Sequence, residues 1–269
     1  MPEDIPALLC QVHSRVRRCL QHETVLADLP VGQNAKGDTP QPFDVVADEV
    51  IRRALKGSFG SGILLSEESG EVQFGESPPR YRFVVDPVDG SDNWGRGLPL
   101  SAVSIAVLPV EGPIQPDRVS WAMVGGLRDQ VPLTAGHGNG AYRGSHRIRV
   151  SEVCTVSAAF VSCELNHFDP PPSVGRLLRG ARAVRTYGCA SQAIALVATG
   201  ALDAHVDLRN RLTAESFLAA ARILEEAGGC VVNSDGQPIR HIDSLISRTS
   251  LVAAATPELA QEVLNVLIG

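Results

Sequence analysis

Ile5, Leu8, Leu9, Val12, Val16 and Leu20 recur at helical spacing, with Arg15, Arg17 and Arg18 on much of the remaining face. That pattern predicts an amphipathic N-terminal helix. A second helix is expected over residues 44–55, with Val45, Val46, Val50, Ile51 and Leu55 on its apolar side. Asp44 stands at its start as a natural N-cap, and Asp48 falls one turn later on the same face. Apolar runs without alternation then predict buried strands at 62–65, 82–85, 102–108, 119–124 and 130–135, separated by glycine-rich turns. The segment between Glu67 and Asp86 contains Gly70, Gly75, Pro78 and Pro79 and reads as a loop or hairpin.

The pattern changes after Val150. Strands are expected at 159–163, 183–187, 201–206 and 251–255, and helices at 174–182, 192–199, 217–227 and 258–268. Asp207 closes the third of these strands, and Thr256 with Pro257 opens the last helix. No repeat or long linker divides the chain. The prediction is one compact α+β unit with two sublayers, about 1–145 and 146–269.

Charge and cysteine usage narrow the class. The net charge is −6 and no basic run occurs, which argues against a nucleic-acid surface or a polybasic membrane patch. No apolar segment approaches the ~20 residues that span a bilayer. The opening Met1-Pro2-Glu3-Asp4 is acidic, unlike a signal peptide. The six cysteines lack CxxC spacing and read as buried thiols of a reducing compartment. A cytoplasmic enzyme is the expectation.

The candidate chemistry lies in Asp86-Pro87-Val88-Asp89-Gly90-Ser91. Pro87 and Gly90 turn the chain, so Asp86 and Asp89 can face one point. Two carboxylates on one turn repel unless a cation lies between them, and oxygen-only ligands suit Mg²⁺. Backbone N–H groups around Gly90 and Ser91 can cradle an anion such as phosphate. The same steps also occur in plain surface turns.

Residues 86–94 resemble the Asp-Pro-Ile/Val-Asp-Gly-Ser/Thr-x-Asn-Phe/Trp signature of the inositol monophosphatase family, whose superfamily includes fructose-1,6-bisphosphatases. Ser66-Glu67-Glu68, the Asp44–Asp48 spacing, the Gly-Asn-Gly-Ala-Tyr run at 138–142 and the block from Arg185 to Asp207 resemble further family motifs. The resemblance implies an αβαβα sandwich, commonly a homodimer, that hydrolyses a small polyol or sugar phosphate with two or three Mg²⁺ ions. It implies that Glu67, Asp86, Asp89 and the Val88 carbonyl hold the metals, and that Asp44 with the Ser91 hydroxyl activates the attacking water. It further implies that Gly90 and Ser91 receive the phosphate. Gly188, Cys189, Ala190 and Asp207 would line the substrate's hydroxyl-bearing face. Arg209 would meet a second anionic group or pair with an acid. The loop at 32–40 would be a lid.

The resemblance breaks once. Residues 223–229 match the family's second signature, and counting back puts Ser216 where that signature carries a metal-ligating Asp. Ser216 can be a plain helix cap, Glu215 can substitute, or the chain can have kept ligand binding without turnover. The other acids, Asp44, Glu67, Asp86 and Asp89, are present, which favours an enzyme over a binding or regulatory protein.

Overall fold

The structure is a computed structural model that describes residues 4–22, 33–34, 39–240, 242 and 244–268. Most of the loop expected to act as a lid lies outside these residues. Two sheets and three helical layers form the molecule. The larger sheet contains β1 (Gly62–Ser66), β2 (Gly70–Phe74), β3 (Tyr81–Asp89), β4 (Ala102–Pro109), β5 (Trp121–Gly126), β6 (Leu133–Gly136), β7 (Gly140–Arg143) and β8 (His146–Arg147). Their order is β2-β1-β3-β4-β5-β6-β7-β8. Only the β1–β3 pairing in this sheet is parallel, with Leu65 opposite Val84. The smaller sheet contains β9 (Phe160–Cys163), β10 (Ala183–Arg185), β11 (Ala204–Leu212), β12 (Cys230–Val232) and β13 (Thr249–Ala254), in the order β10-β9-β11-β13-β12.

The unalternating strands are explained by burial on both faces. On one face of the larger sheet, Phe83, Val85, Ile105 and Met123 pack against α1 (Ile5–His22) and α2 (Pro42–Phe59). On the other, Val84, Ala106, Ala122 and Val124 pack against α5 (Ala190–Ala198) and α6 (Ala214–Ala227). Those two helices also meet Leu251 and Ala253 of the smaller sheet. The outer face of that sheet carries α4 (Pro172–Gly180) and α7 (Pro257–Ile268), packed on Val161, Val206 and Val252. The layering is therefore αβαβα. A short α3 (Ser91–Gly95) follows β3. No helix among the described residues is long and apolar enough to cross a membrane.

Several local expectations are corrected. Pro42 takes the first position of α2, so Gln41 is the N-cap and Asp44 lies in the first turn. Its Oδ2 accepts the Gln41 N–H (2.8 Å). β11 runs on to Leu212, so Asp207 lies within the strand and does not close it. The polar residues that mimic a strand end in the sequence are paired with one another, as described below. α6 starts at Ala214, which puts Ser216 in its first turn and not at its cap. None of the six cysteines forms a disulfide among the described residues, and of the six Cys163 and Cys189 are buried.

Candidate active site

β1 and β3 run parallel, so their C-terminal ends reach the same edge of the sheet. The Glu67 N–H donates to the Val85 carbonyl (3.2 Å), which brings the turn after β1 beside Asp86. Asp86 and Asp89 are spaced i, i+3, and in a regular strand an odd spacing sends side chains to opposite faces. Here Asp86 pairs with Ser104 and Asp89 with Ala102, so β3 holds one extra residue between them. That bulge puts both carboxylates on one cavity. Gly90 ends the strand with φ +81°, and a Cβ there would stand 2.9 Å from the Leu100 carbonyl oxygen, so the turn requires glycine.

The cavity measures about 390 Å³. Six acids line it: Asp44, Glu67, Glu68, Asp86, Asp89 and Asp92. Val88, Gly90, Ser91, Gly188 and Ser216 share the wall, and among the described residues no Lys, Arg or His does. The Ser91 Oγ lies 2.8 Å from Asp44 Oδ1 and 2.8 Å from the Val88 carbonyl oxygen. One hydroxyl hydrogen can serve only one of these acceptors at a time. When Asp44 holds a proton it can donate to Ser91, leaving Ser91 to donate to Val88. Burial pushes the Asp44 carboxyl up to about 6 against the pull of its Ser91 and Gln41 hydrogen bonds, and the charges of Glu67 and Asp92 push the same way.

Asp89 is held from behind. The Ser191 N–H (2.6 Å), the Ser191 hydroxyl (2.5 Å) and the Cys189 thiol (3.2 Å) all converge on its Oδ2. Burial raises its pKa in spite of these donors, and Glu67 adds to the rise. The Cys189 thiol is in turn pushed well above its ordinary value, first by burial and then by Asp89.

A second cavity of about 150 Å³ shares Asp89, Gly188 and Ser216 with the first. Cys189, Ala190 and Arg209 line it, as do Glu164, Asn166, Arg211 and Thr213, which the sequence reading missed. The Glu164 carboxylate accepts the N–H groups of Leu165, Asn166 and Gly188 (2.9–3.0 Å) and so shapes the turn that carries Gly188. Asp207 is not on the wall. It is 0% exposed and binds Arg209 through the backbone N–H (3.0 Å), Nε (3.0 Å) and a terminal nitrogen (2.7 Å). Its place in the arrangement is to aim Arg209. Asn93 closes the rim, donating to the carbonyls of Leu100 (2.8 Å) and Tyr187 (2.6 Å). A lone acid directly after the buried run 160–163 was the one available signal for Glu164.

Glu215 lies apart from both cavities in this structure. It is 1% exposed and accepts the Thr213 hydroxyl, whereas Ser216 lines both cavities. The donors of the acid-lined cavity are all oxygen, which fits a hard cation such as Mg²⁺. Among the described residues, no three Asp, Glu, His or Cys side chains are drawn into a closed metal-holding cluster. The fit therefore rests on donor chemistry and on six carboxylates gathered on a wall that carries no cationic side chain among the described residues.

A model of the inositol monophosphatase family matches residues 10–267. A fructose-1,6-bisphosphatase/inositol-1-monophosphatase of Thermococcus kodakarensis is 30% identical over 240 residues, covering 88% of this chain and 86% of the relative. A histidinol-phosphatase of Chlorobaculum parvum is 32% identical over 225 residues, covering 81% and 80%. The crystal structure of an extragenic suppressor protein from Bartonella henselae superposes with a TM-score of 0.81 at 23% identity, covering 98% of each chain.

Proposed function

The chain belongs to the inositol monophosphatase family, a family of metal-dependent phosphomonoesterases, and from that premise we propose that it hydrolyses a phosphate monoester of a small polyol or sugar with Mg²⁺. The observation that carries this reading is the cavity walled by six acids, with no cationic side chain among the described residues. Glu67, Asp86, Asp89 and the Val88 carbonyl would hold the metal. When bound, Mg²⁺ supplies charge neutralisation for the phosphate oxygens and acidifies water.

The protein's own groups do the rest. The Asp44 carboxylate, through the Ser91 hydroxyl, accepts a proton from the attacking water. A carboxyl near pKa 6 can take that proton close to neutral pH. The backbone N–H groups of Gly90 and Ser91, on the cavity wall, would receive the phosphate. Arg209 and Arg211 stand in the adjoining cavity, which favours a substrate with a second anionic group.

One observation favours a second reading. Ser216 supplies a hydroxyl where the family signature has a carboxylate, and a protein weakened at that point could bind its ligand without turning it over. Phosphate release decides between the two. Wild type and Ser216→Asp would be assayed with Mg²⁺ on inositol 1-phosphate, fructose 1,6-bisphosphate and histidinol phosphate. Turnover by wild type, strongest on the doubly anionic compound, is expected. Silence from wild type with activity in Ser216→Asp would favour the binding protein.

A further inference from the structure

Helix α2 carries two buried carboxylates one turn apart, and each reaches a different acid-bearing turn. Asp44 meets Ser91 on the turn after β3. Asp48, 6% exposed, accepts a short hydrogen bond from the hydroxyl of Ser66, itself fully buried at the end of β1. The Ser69 hydroxyl is a further donor near the same carboxylate, drawing its pKa down against the rise from burial. Ser66 Oγ also accepts the Glu68 N–H (3.3 Å). Asp48 therefore grips the start of the turn 66–69 through Ser66, whose hydroxyl also holds the Glu68 N–H, and Glu67 and Glu68 follow directly. Asp48 itself does not line the cavity.

We infer that Asp48 is a positioning residue, which presents Glu67 and Glu68 to the cavity at the separation from Asp44 and Ser91 that one turn of α2 dictates. The inference rests on the proposed function. Its physical basis is the number of acceptor sites. A carboxylate takes two hydroxyl donors without giving a proton back, whereas an amide offers one oxygen and sets its NH₂ against the second hydroxyl. A rigid helix is also a better gauge of distance than the turn it holds. α2 spans Pro42–Phe59 and is packed by its buried Ala47, Ile51, Ala54 and Leu55, so its two carboxylates cannot drift relative to each other. Groups that orient a metal's ligands without touching the metal are worth about 10–100-fold in metal affinity.

A second hydroxyl–carboxylate pair supplies the control. Ser151 donates to Asp203 (2.5 Å), which is 7% exposed and also accepts the Phe160 N–H (2.7 Å). That pair lines neither cavity. Mg²⁺ affinity would be measured by calorimetry in the presence of inorganic phosphate, with thermal unfolding of the same samples. Wild type, Asp48→Ala, Asp48→Asn, Ser66→Ala and Ser151→Ala would be compared. Asp48→Ala should weaken Mg²⁺ binding about 10–100-fold, with Asp48→Asn and Ser66→Ala in between. Ser151→Ala should lower the unfolding midpoint and leave Mg²⁺ affinity unchanged. If Asp48→Ala does not fold, the two milder variants carry the test. Wild-type affinity in both Asp48→Asn and Ser66→Ala, or an equal loss in Ser151→Ala, would overturn the inference alone. Wild type that takes up no Mg²⁺ would overturn the proposed function, and the inference with it.

Discussion

The two adjoining cavities treat their acids in opposite ways. Two buried acids beside the smaller one have protein partners that answer their charge: Asp207, behind the wall, is bound by Arg209, and Glu164, on it, by three backbone N–H groups. In the larger one the acids aggravate each other, so that Glu67 is among the causes raising both Asp44 and Asp89. Folding alone completes the first arrangement. The second gathers six acids with no cationic side chain among the described residues of its wall, an arrangement that a bound cation would stabilise. On the proposed function, the smaller cavity would be a finished recognition surface and the larger one a reaction centre that a cation from solution completes.

The sharpest way to break this comparison is to remove one acid from each side. Asp86→Asn should cost about a thousandfold in Mg²⁺-dependent phosphate release. Its circular dichroism should match wild type, because the variant removes a repelled charge and keeps the shape. Retained turnover would mean that the larger cavity is not the reaction centre. The smaller cavity should respond in binding and not in turnover. Arg209→Lys keeps the charge but loses the fork that Asp207 holds. KM for fructose 1,6-bisphosphate should rise about tenfold with kcat nearly unchanged, while inositol 1-phosphate is hardly affected. An equal rise for both compounds would place the two arginines outside the recognition of the second anion.

Much of the larger cavity was legible in the sequence because its residues are local. Asp86 to Ser91 occupy one turn, Glu67 follows a buried run, and the departure at Ser216 can be counted from a neighbouring motif. The layers were legible too, since strands buried on both faces lose their alternation. What stayed hidden depends on pairing between distant segments. The bulge that lets Asp86 and Asp89 share a side exists only against β4. Asp207 read as the end of a strand because its partner, Arg209, interrupts the apolar pattern while the backbone continues. Glu164 accepts a backbone N–H from 24 residues away and Ser191 donates its N–H to a carboxylate 102 residues away, and no local signal marks such contacts.

Ser216 stands on the wall common to both cavities, so Ser216→Asp should move them in opposite directions. An added carboxylate strengthens a cation's hold and repels an anion near Arg209 and Arg211. At about 1 kcal/mol for a half-exposed charge, the Mg²⁺ needed for half-maximal rate should fall about fivefold. KM for a doubly anionic substrate should rise by a similar factor. Movement of both quantities in the same direction would separate the cavities functionally and remove Ser216 from their boundary.

The last effect is on stability, and it tests the burial of the Asp44 carboxyl and its repulsion by neighbouring acids together. The Asp44 carboxyl stands at about 6 in the folded chain against 3.8 for the ordinary group. Between those values the folded chain binds more protons than the unfolded one, so the stabilisation from a protonated Asp44 is complete below about pH 4 and lost by about pH 6. Thermal midpoints in chelator, taken as wild type minus Asp44→Asn, should therefore fall across that window and be level on either side. Added Mg²⁺ favours the carboxylate and should flatten the slope. A difference that climbs with pH in chelator would mean that Asp44 is held below its ordinary value by a partner the fold itself provides, and the larger cavity would then be as complete as the smaller.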